Sequence, residues 1–278
     1  MATTPLPSTG AVSGLGETLA FFTQADFAQR RFEAHGDVFE TKLLAQRMVF
    51  IRGERAIGDL LGQGESLEGW WPESVRQLLG SQSLANRNGP GHKARRRVVG
   101  QLFSSAALAR YTPSIEQMVE ELCQELITST TALPLAARMR KRIKGVLQAG
   151  TNQGGLDLLS GGLDEAGIPL DDDDLAEQLL LLLFAGYETT ASSLSCLFRA
   201  LLLNPEVESW LRDGLASETA SPRLDATVLE VMRLTPPVGG FFRRSLAPIE
   251  LAGVAVPEGS VIQVVLSPTS AGNDEDLA

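Results

Sequence analysis

A mainly α fold with small β-sheets (α+β) is predicted for this chain of 278 residues, and three patterns carry the prediction. Ile115, Met118, Val119 and Leu122 recur at helical spacing, so one face of that segment is apolar. From Leu175 to Leu203 apolar residues dominate every side of a continuous run, as in a helix buried through the centre of a protein. Short Val/Ile-rich runs with turn residues between them occur only near the two ends of the chain.

The elements follow in order. Phe27–His35 reads as a helix stopped by Gly36, and Val38–Leu44 and Met48–Ile51 read as short strands. A helix resumes at Ile57–Leu61, a loop follows over Gly62–Gly69, and Trp70–Leu79 is a mixed segment between Pro72 and Gly80. Asn88-Gly89-Pro90 marks the turn into a helix that places His92, Arg95 and Arg96 on one side. Ser114–Leu126 is the amphipathic helix. Thr128–Pro134 breaks the texture, Arg138–Lys144 is a basic, helical run, and Gly150–Gly167 is a polar, Gly-rich connection.

Asp171–Asp174 puts four carboxylates where the positive end of a helix dipole favours them, and Asp171 with Asp174 imitates a capping box. The helix they open ends at Asn204-Pro205, on the order of 45 Å away. A shorter helix, Ala226–Leu234, stops at Thr235-Pro236-Pro237. Phe241–Arg244, Ile249–Leu251 and Val261–Leu266 are strand pieces.

Composition excludes several function classes. A net charge of -10 is a poor basis for gripping a nucleic-acid backbone. Two cysteines, Cys123 and Cys196, make neither a disulfide framework nor a Cys-rich zinc site, so no metal site is predicted from them. The first residues lack the basic start and apolar centre of a signal peptide. The longest uninterrupted apolar run, Leu179–Gly186, is far short of the roughly 18–20 residues of a membrane span. These observations favour a cytoplasmic protein without a transmembrane segment.

Ala185-Gly186-Tyr187-Glu188-Thr189-Thr190 interrupts the apolar helix with a glycine, a carboxylate and two hydroxyls. Two readings are open. Thr189 can bond the carbonyl one turn back and relieve a bend near Gly186. A widened groove with an acid and a hydroxyl can instead hold a small polar ligand and relay protons to it. Glu230 and Arg233, three apart, face the same way, either as an ordinary surface pair or as part of a network. His92 and Arg96 share a helix face that is solvated by default, and Arg243 can be a plain edge charge on its strand.

Taken together and in this order, these signals resemble the cytochrome P-450 haem-thiolate monooxygenases. That family's central helix carries Ala/Gly-Gly-x-Asp/Glu-Thr, matched by Ala185, Gly186, Glu188 and Thr189. Its Glu-x-x-Arg pair is matched by Glu230 and Arg233, its strand arginine by Arg243, and its His-x-x-x-Arg helix by His92 and Arg96. Gly14–Leu19 and Trp71–Gly80 look closest to the cyanobacterial, retinoid-hydroxylating branch.

The resemblance implies haem as cofactor, dioxygen, and an electron donor such as a ferredoxin or a reductase. The substrate would be a small hydrophobic, lipid- or retinoid-like molecule. It assigns proton delivery to Thr189 and Glu188, and cofactor contact to Ala185, Gly186, His92, Arg96 and Arg243. Glu230 and Arg233 become a structural ion pair in a buried polar network.

Two departures stand out. No Phe-x-x-Gly-x-Arg-x-Cys loop, which supplies the family's iron ligand, occurs in these residues, and Cys123 and Cys196 sit on predicted helices as core residues. About a dozen residues bridge Leu126 and Arg138, where the family has several helices. The chain is therefore expected to be one incomplete domain: residues 1–127, an apparent internal deletion at 128–137, then residues 138–278. The alternative is a catalytically inactive remnant without the thiolate. An α+β binding protein with a buried acid–hydroxyl site ranks last, because it leaves the order of the motifs unexplained.

Overall fold

The computed structural model describes residues 4–10, 14–128, 161–214 and 220–266. They form two compact units, Met1–Pro72 with Ala185–Ala278, and Glu73–Phe184. Arg138–Lys144, nearly all of the 128–137 stretch and most of the Gly150–Gly167 connection lie outside the described residues.

The first unit is built on a five-stranded sheet with strand order β1-β2-β7-β4-β3. Its strands are β1 (Val38–Leu43), β2 (Gln46–Ile51), β3 (Leu67–Gly69), β4 (Gly240–Ser245) and β7 (Val261–Val265). A separate hairpin pairs β5 (Ile249–Leu251) with β6 (Val254–Val256). All neighbours are antiparallel except β2 and β7, which run parallel with Met48 opposite Val261.

The two-residue period of the strands divides one sheet between two cores. Val38, Val49, Ile51, Ile262 and Val264 pack with Leu251, Val256 and the residues Ala56 and Leu60 of helix α3 (Glu54–Gly62). Phe39, Met48, Phe50 and Val261 pack with Phe27 and Phe32 of helix α2 (Phe27–His35). Both faces are covered, so Met48–Ile51 of β2 reads as an unbroken apolar run.

At one end, β4 approaches β7 so closely that a Cβ on Gly240 would lie 1.8 Å from the Val264 carbonyl oxygen. Only a glycine fits there. Helix α1 (Leu15–Thr23) turns its polar side inward: the Glu17 carboxylate accepts from Nε and Nη2 of Arg31, and at 3.1 Å from the Thr41 hydroxyl.

The second unit contains α4 (Glu73–Leu79), α5 (Gly89–Gly100), α6 (Ser105–Thr128) and the first turns of a 32-residue helix, Asp172–Leu203. Its core joins Val98, Val99 and Leu102 to Leu170, with Leu175, Leu179 and Leu182 packed against them. Those three leucines lie at i, i+4 and i+7, so this part of the long helix is anchored by one stripe.

Several sequence expectations are corrected. The supposed loop Gly62–Gly69 contains β3, and the segment at Trp70–Leu79 is helical from Glu73. Helix α6 starts nine residues before Ser114, because the Ser104 hydroxyl caps it by accepting from the Ala107 amide at 3.3 Å, and it then runs through Pro113. Helix Leu15–Thr23, helix Pro205–Gly214 and strand β6 have no counterpart in the sequence reading.

The largest correction concerns the long helix. Leu183 and Phe184 are each 47% exposed, Phe198 56% and Leu202 82%. An apolar pattern records what is favourable to bury, not whether a partner is at hand, and the described residues leave these positions open.

Candidate functional site

The long helix begins as its composition dictates. Asp171 Oδ1 accepts from the Asp174 amide at 2.8 Å, satisfying one of the unpaired amides of the first turn. Asp174 does not complete a capping box. Its carboxylate is buried and accepts from Arg95 Nη2 at 2.5 Å and from Gln178 Nε2 at 2.9 Å.

This cluster is what sequence reasoning missed. Arg95 is 3% exposed and also binds Glu165, whereas Arg96 beside it is exposed and His92 half-buried. Burial opposes the Arg95 charge most strongly, yet the hydrogen bonds and charges of Asp174 and Glu165 outweigh it and hold its pKa above the ordinary arginine value. Gln178, fully buried, accepts from the Leu84 amide at 2.8 Å and donates to the Gln82 carbonyl at 2.8 Å. Glu177 accepts from the amides of Gln82 and Ser83. The available signal was three basic residues in a row, Arg95–Arg97, on a helix that needs one apolar face: one of the three must turn inward and find a carboxylate.

Ala185, Gly186, Glu188 and Thr189 lie on uninterrupted helix. The Thr189 hydroxyl donates to the Ala185 carbonyl at 2.7 Å, the bond one turn back that the structural reading requires. A Cβ on Gly186 would meet nothing within 4 Å, so open space lies beside this turn, and Glu188 is exposed. The two readings coexist, because the hydroxyl oxygen keeps its acceptor capacity while its proton is held by a carbonyl.

Glu230 and Arg233, on the helix Ala220–Leu234, form a two-pronged pair with bonds of 2.8 and 2.7 Å. Their side chains are 44% and 40% exposed, so the pair does not lie in a buried network among the described residues. The Arg233 hydrogen bonds lower the Glu230 pKa.

Arg243 lies on β4, an interior strand, which removes the edge-charge reading. Its Nη1 donates to the Phe242 carbonyl at 2.7 Å, and its guanidinium sits 4.7 Å above the Phe241 ring. Half-burial pushes its pKa down. Trp70 and Trp71 meet Phe242 edge-on at 5.4 and 6.1 Å.

Thr189, Glu188, Glu230, Arg233 and Arg243 thus belong to the first unit, and His92 and Arg96 to the second. Cys123 is exposed and Cys196 partly buried. Among the described residues no group of three His, Cys, Asp or Glu side chains is placed to hold a metal ion. The helix Asp172–Leu203 is also long and apolar enough, by length and composition, to cross a membrane.

A long helix carrying Ala-Gly-x-Glu-Thr, a Glu-x-x-Arg pair and an arginine on an interior strand are the features that carry the resemblance to the cytochrome P-450 fold. The cytochrome P450 family profile matches residues 135–277, and the chain belongs to that family.

Among curated proteins it is 29% identical to a putative cytochrome P450 120 of Synechocystis, aligned over 94% of this chain and 75% of that protein. It is 27% identical to cytochrome P450 26B1 of Xenopus tropicalis, over 88% of this chain and 65% of that protein. The chain therefore spans about two thirds to three quarters of the length of these relatives. Among solved structures, a retinoic acid-bound cyanobacterial CYP120A1 superposes with a TM-score of 0.81 at 25% identity, covering 98% of this chain and 79% of that one. A CYP102L1 structure superposes at 0.76 with 17% identity, a likeness of fold alone.

Proposed function

We propose that this chain is the oxygen- and haem-handling part of a cytochrome P450 monooxygenase acting on a hydrophobic, retinoid-like small molecule. The observation that carries the reading is the superposition of 98% of the chain on a relative described as bound to retinoic acid. The family's cofactor is haem, which when bound supplies the redox-active iron for dioxygen chemistry.

The cofactor's carboxylates find a suitable counter-ion in this structure. Arg243 is half-buried, and the contacts recorded for it are a carbonyl and an aromatic face rather than a carboxylate. An anionic propionate beside it would restore the stability of its charge. Arg96 supplies the same sign of charge on α5, and His92 an imidazole on the same helix. Thr189 donates to the Ala185 carbonyl next to the space beside Gly186, and the exposed Glu188 is its neighbour in sequence. In this reading the hydroxyl and the carboxylate together serve as the proton relay to a bound ligand.

Glu188, Thr189, Thr190, Ser192, Ser193 and Ser195 in the middle of the long helix would be costly in lipid, which supports an internal helix rather than a membrane span. A ferredoxin-like or reductase donor and a cytoplasmic location go with this reading.

A second reading, an inactive remnant without a thiolate ligand, is favoured by the two cysteines. Cys123 is exposed, and Cys196 lies about two turns beyond Thr189 on the same helix. No step of the relay above is routed through either. The alignment with the Synechocystis protein runs over 332 positions, more than the chain's 278 residues, so it contains gaps in this chain, as an internal deletion requires.

The purified chain, loaded with haem, reduced and exposed to carbon monoxide, separates these readings. A red-shifted thiolate-type band that responds to retinoic acid titration would put Cys123 or Cys196 at the iron and overturn the remnant reading. A nitrogen-type band supports the remnant, and failure to retain haem overturns the proposal.

A further inference from the structure

The buried cluster around Arg95 serves no role in the relay, yet Arg95 and Asp174 are the most deeply buried charged pair among the described residues of the second unit. From it we infer that Arg95 is a positioning residue: pinned by Asp174 and Glu165, it fixes the rotation of α5 so that the His92 and Arg96 side chains face the haem propionates. This deepens the haem reading above and rests on it.

The geometry behind it is specific. Arg95 lies three residues after His92 and one before Arg96, so its direction sets theirs on the same helix. Its two terminal nitrogens reach two different carboxylates, Asp174 on the long helix and Glu165 on the turn preceding it. Asp174 is itself oriented by Gln178. A planar, two-pronged guanidinium held at both ends cannot rotate without leaving a charge buried and unpaired. Val98 and Val99, three and four residues on and so on the same face of α5, pack into the core beside it, but apolar contacts tolerate small rotations, whereas the hydrogen-bonded fork does not.

The test compares binding of haem with binding of haem dimethyl ester, whose propionates are neutral. The wild-type chain should prefer haem, and Arg95→Leu should lose roughly tenfold of that preference, the scale on which supporting residues act. Arg95→Lys, which keeps the charge, should restore part of it. Loss of structure alone would weaken both ligands equally and leave their ratio unchanged. Asp174→Asn, close in shape, carries the same expectation should Arg95→Leu not fold. A variant that retains the full wild-type preference overturns the positioning role. A wild-type chain that binds both ligands equally overturns the propionate assignment and this inference with it. A chain that binds neither overturns the haem reading itself.

Discussion

Glu17 and Asp174 show how much a single carboxylate contributes when arginine reaches it away from bulk water. Arg31 hydrogen bonds hold the Glu17 pKa below its ordinary value, against the penalty of burial. A lowered pKa stabilises the folded state fully above the ordinary glutamate range and loses that contribution as pH falls through the folded-state value. Glu17→Gln should therefore cost about 1–3 kcal/mol at neutral pH, and its melting temperature should converge with wild type at acidic pH. Asp174→Asn removes one anchor of a buried guanidinium, and urea unfolding should show a loss of about 3 kcal/mol. The exposed Glu230–Arg233 pair differs: Arg233→Ala should shift stability by no more than about 1 kcal/mol by the same measurement.

At the scale of elements, the strands and helices with local punctuation were legible. Phe27–His35 ends at Gly36 as the sequence predicts, and the Ile249–Leu251 strand is where the pattern puts it. The strand Leu67–Gly69 exists only through its partner, Arg243–Ser245, and no local signal marks it. Helix α6 starts at Ser105 behind the Ser104 cap and runs through Pro113, whereas the apolar spacing is clear only from Ile115 onward.

Glycine positions carry their own test. Gly80 has φ +84°, and a Cβ there would lie 2.1 Å from the Glu177 carboxyl carbon that holds the amides of Gln82 and Ser83. Gly80→Ala should cost about 1–3 kcal/mol and reduce hydrogen-exchange protection at Gln82 and Ser83. On the long helix, Leu202 at 82% exposure should tolerate Leu202→Lys within about 0.5 kcal/mol, where a buried leucine would not.

For the whole molecule, the family was legible because its motifs are short, ordered and local: Ala185–Thr189, Glu230–Arg233 and His92–Arg96 can each be read along one helix. Burial was not legible, because it depends on elements distant in sequence. Arg95 illustrates the gap, since its partners lie about seventy and eighty residues away and nothing local announces them. The acidic chain and the polar middle of its long helix lead to one more expectation. In flotation with phosphatidylcholine vesicles the protein should stay in the dense fraction, and co-migration with lipid would mean that Asp172–Leu203 crosses the bilayer.

The parallel seam between β2 and β7 has a consequence for synthesis. Met48 waits for Val261, about two hundred residues downstream, before that side of the hairpin gains its neighbour. At roughly 5–20 residues per second on the ribosome, the wait is on the order of ten to forty seconds. Throughout it, an apolar strand with an unpaired edge is available to any other nascent chain. The yield of this protein is then governed by how crowded its polysomes are and by which chaperone meets the N-terminal hairpin first.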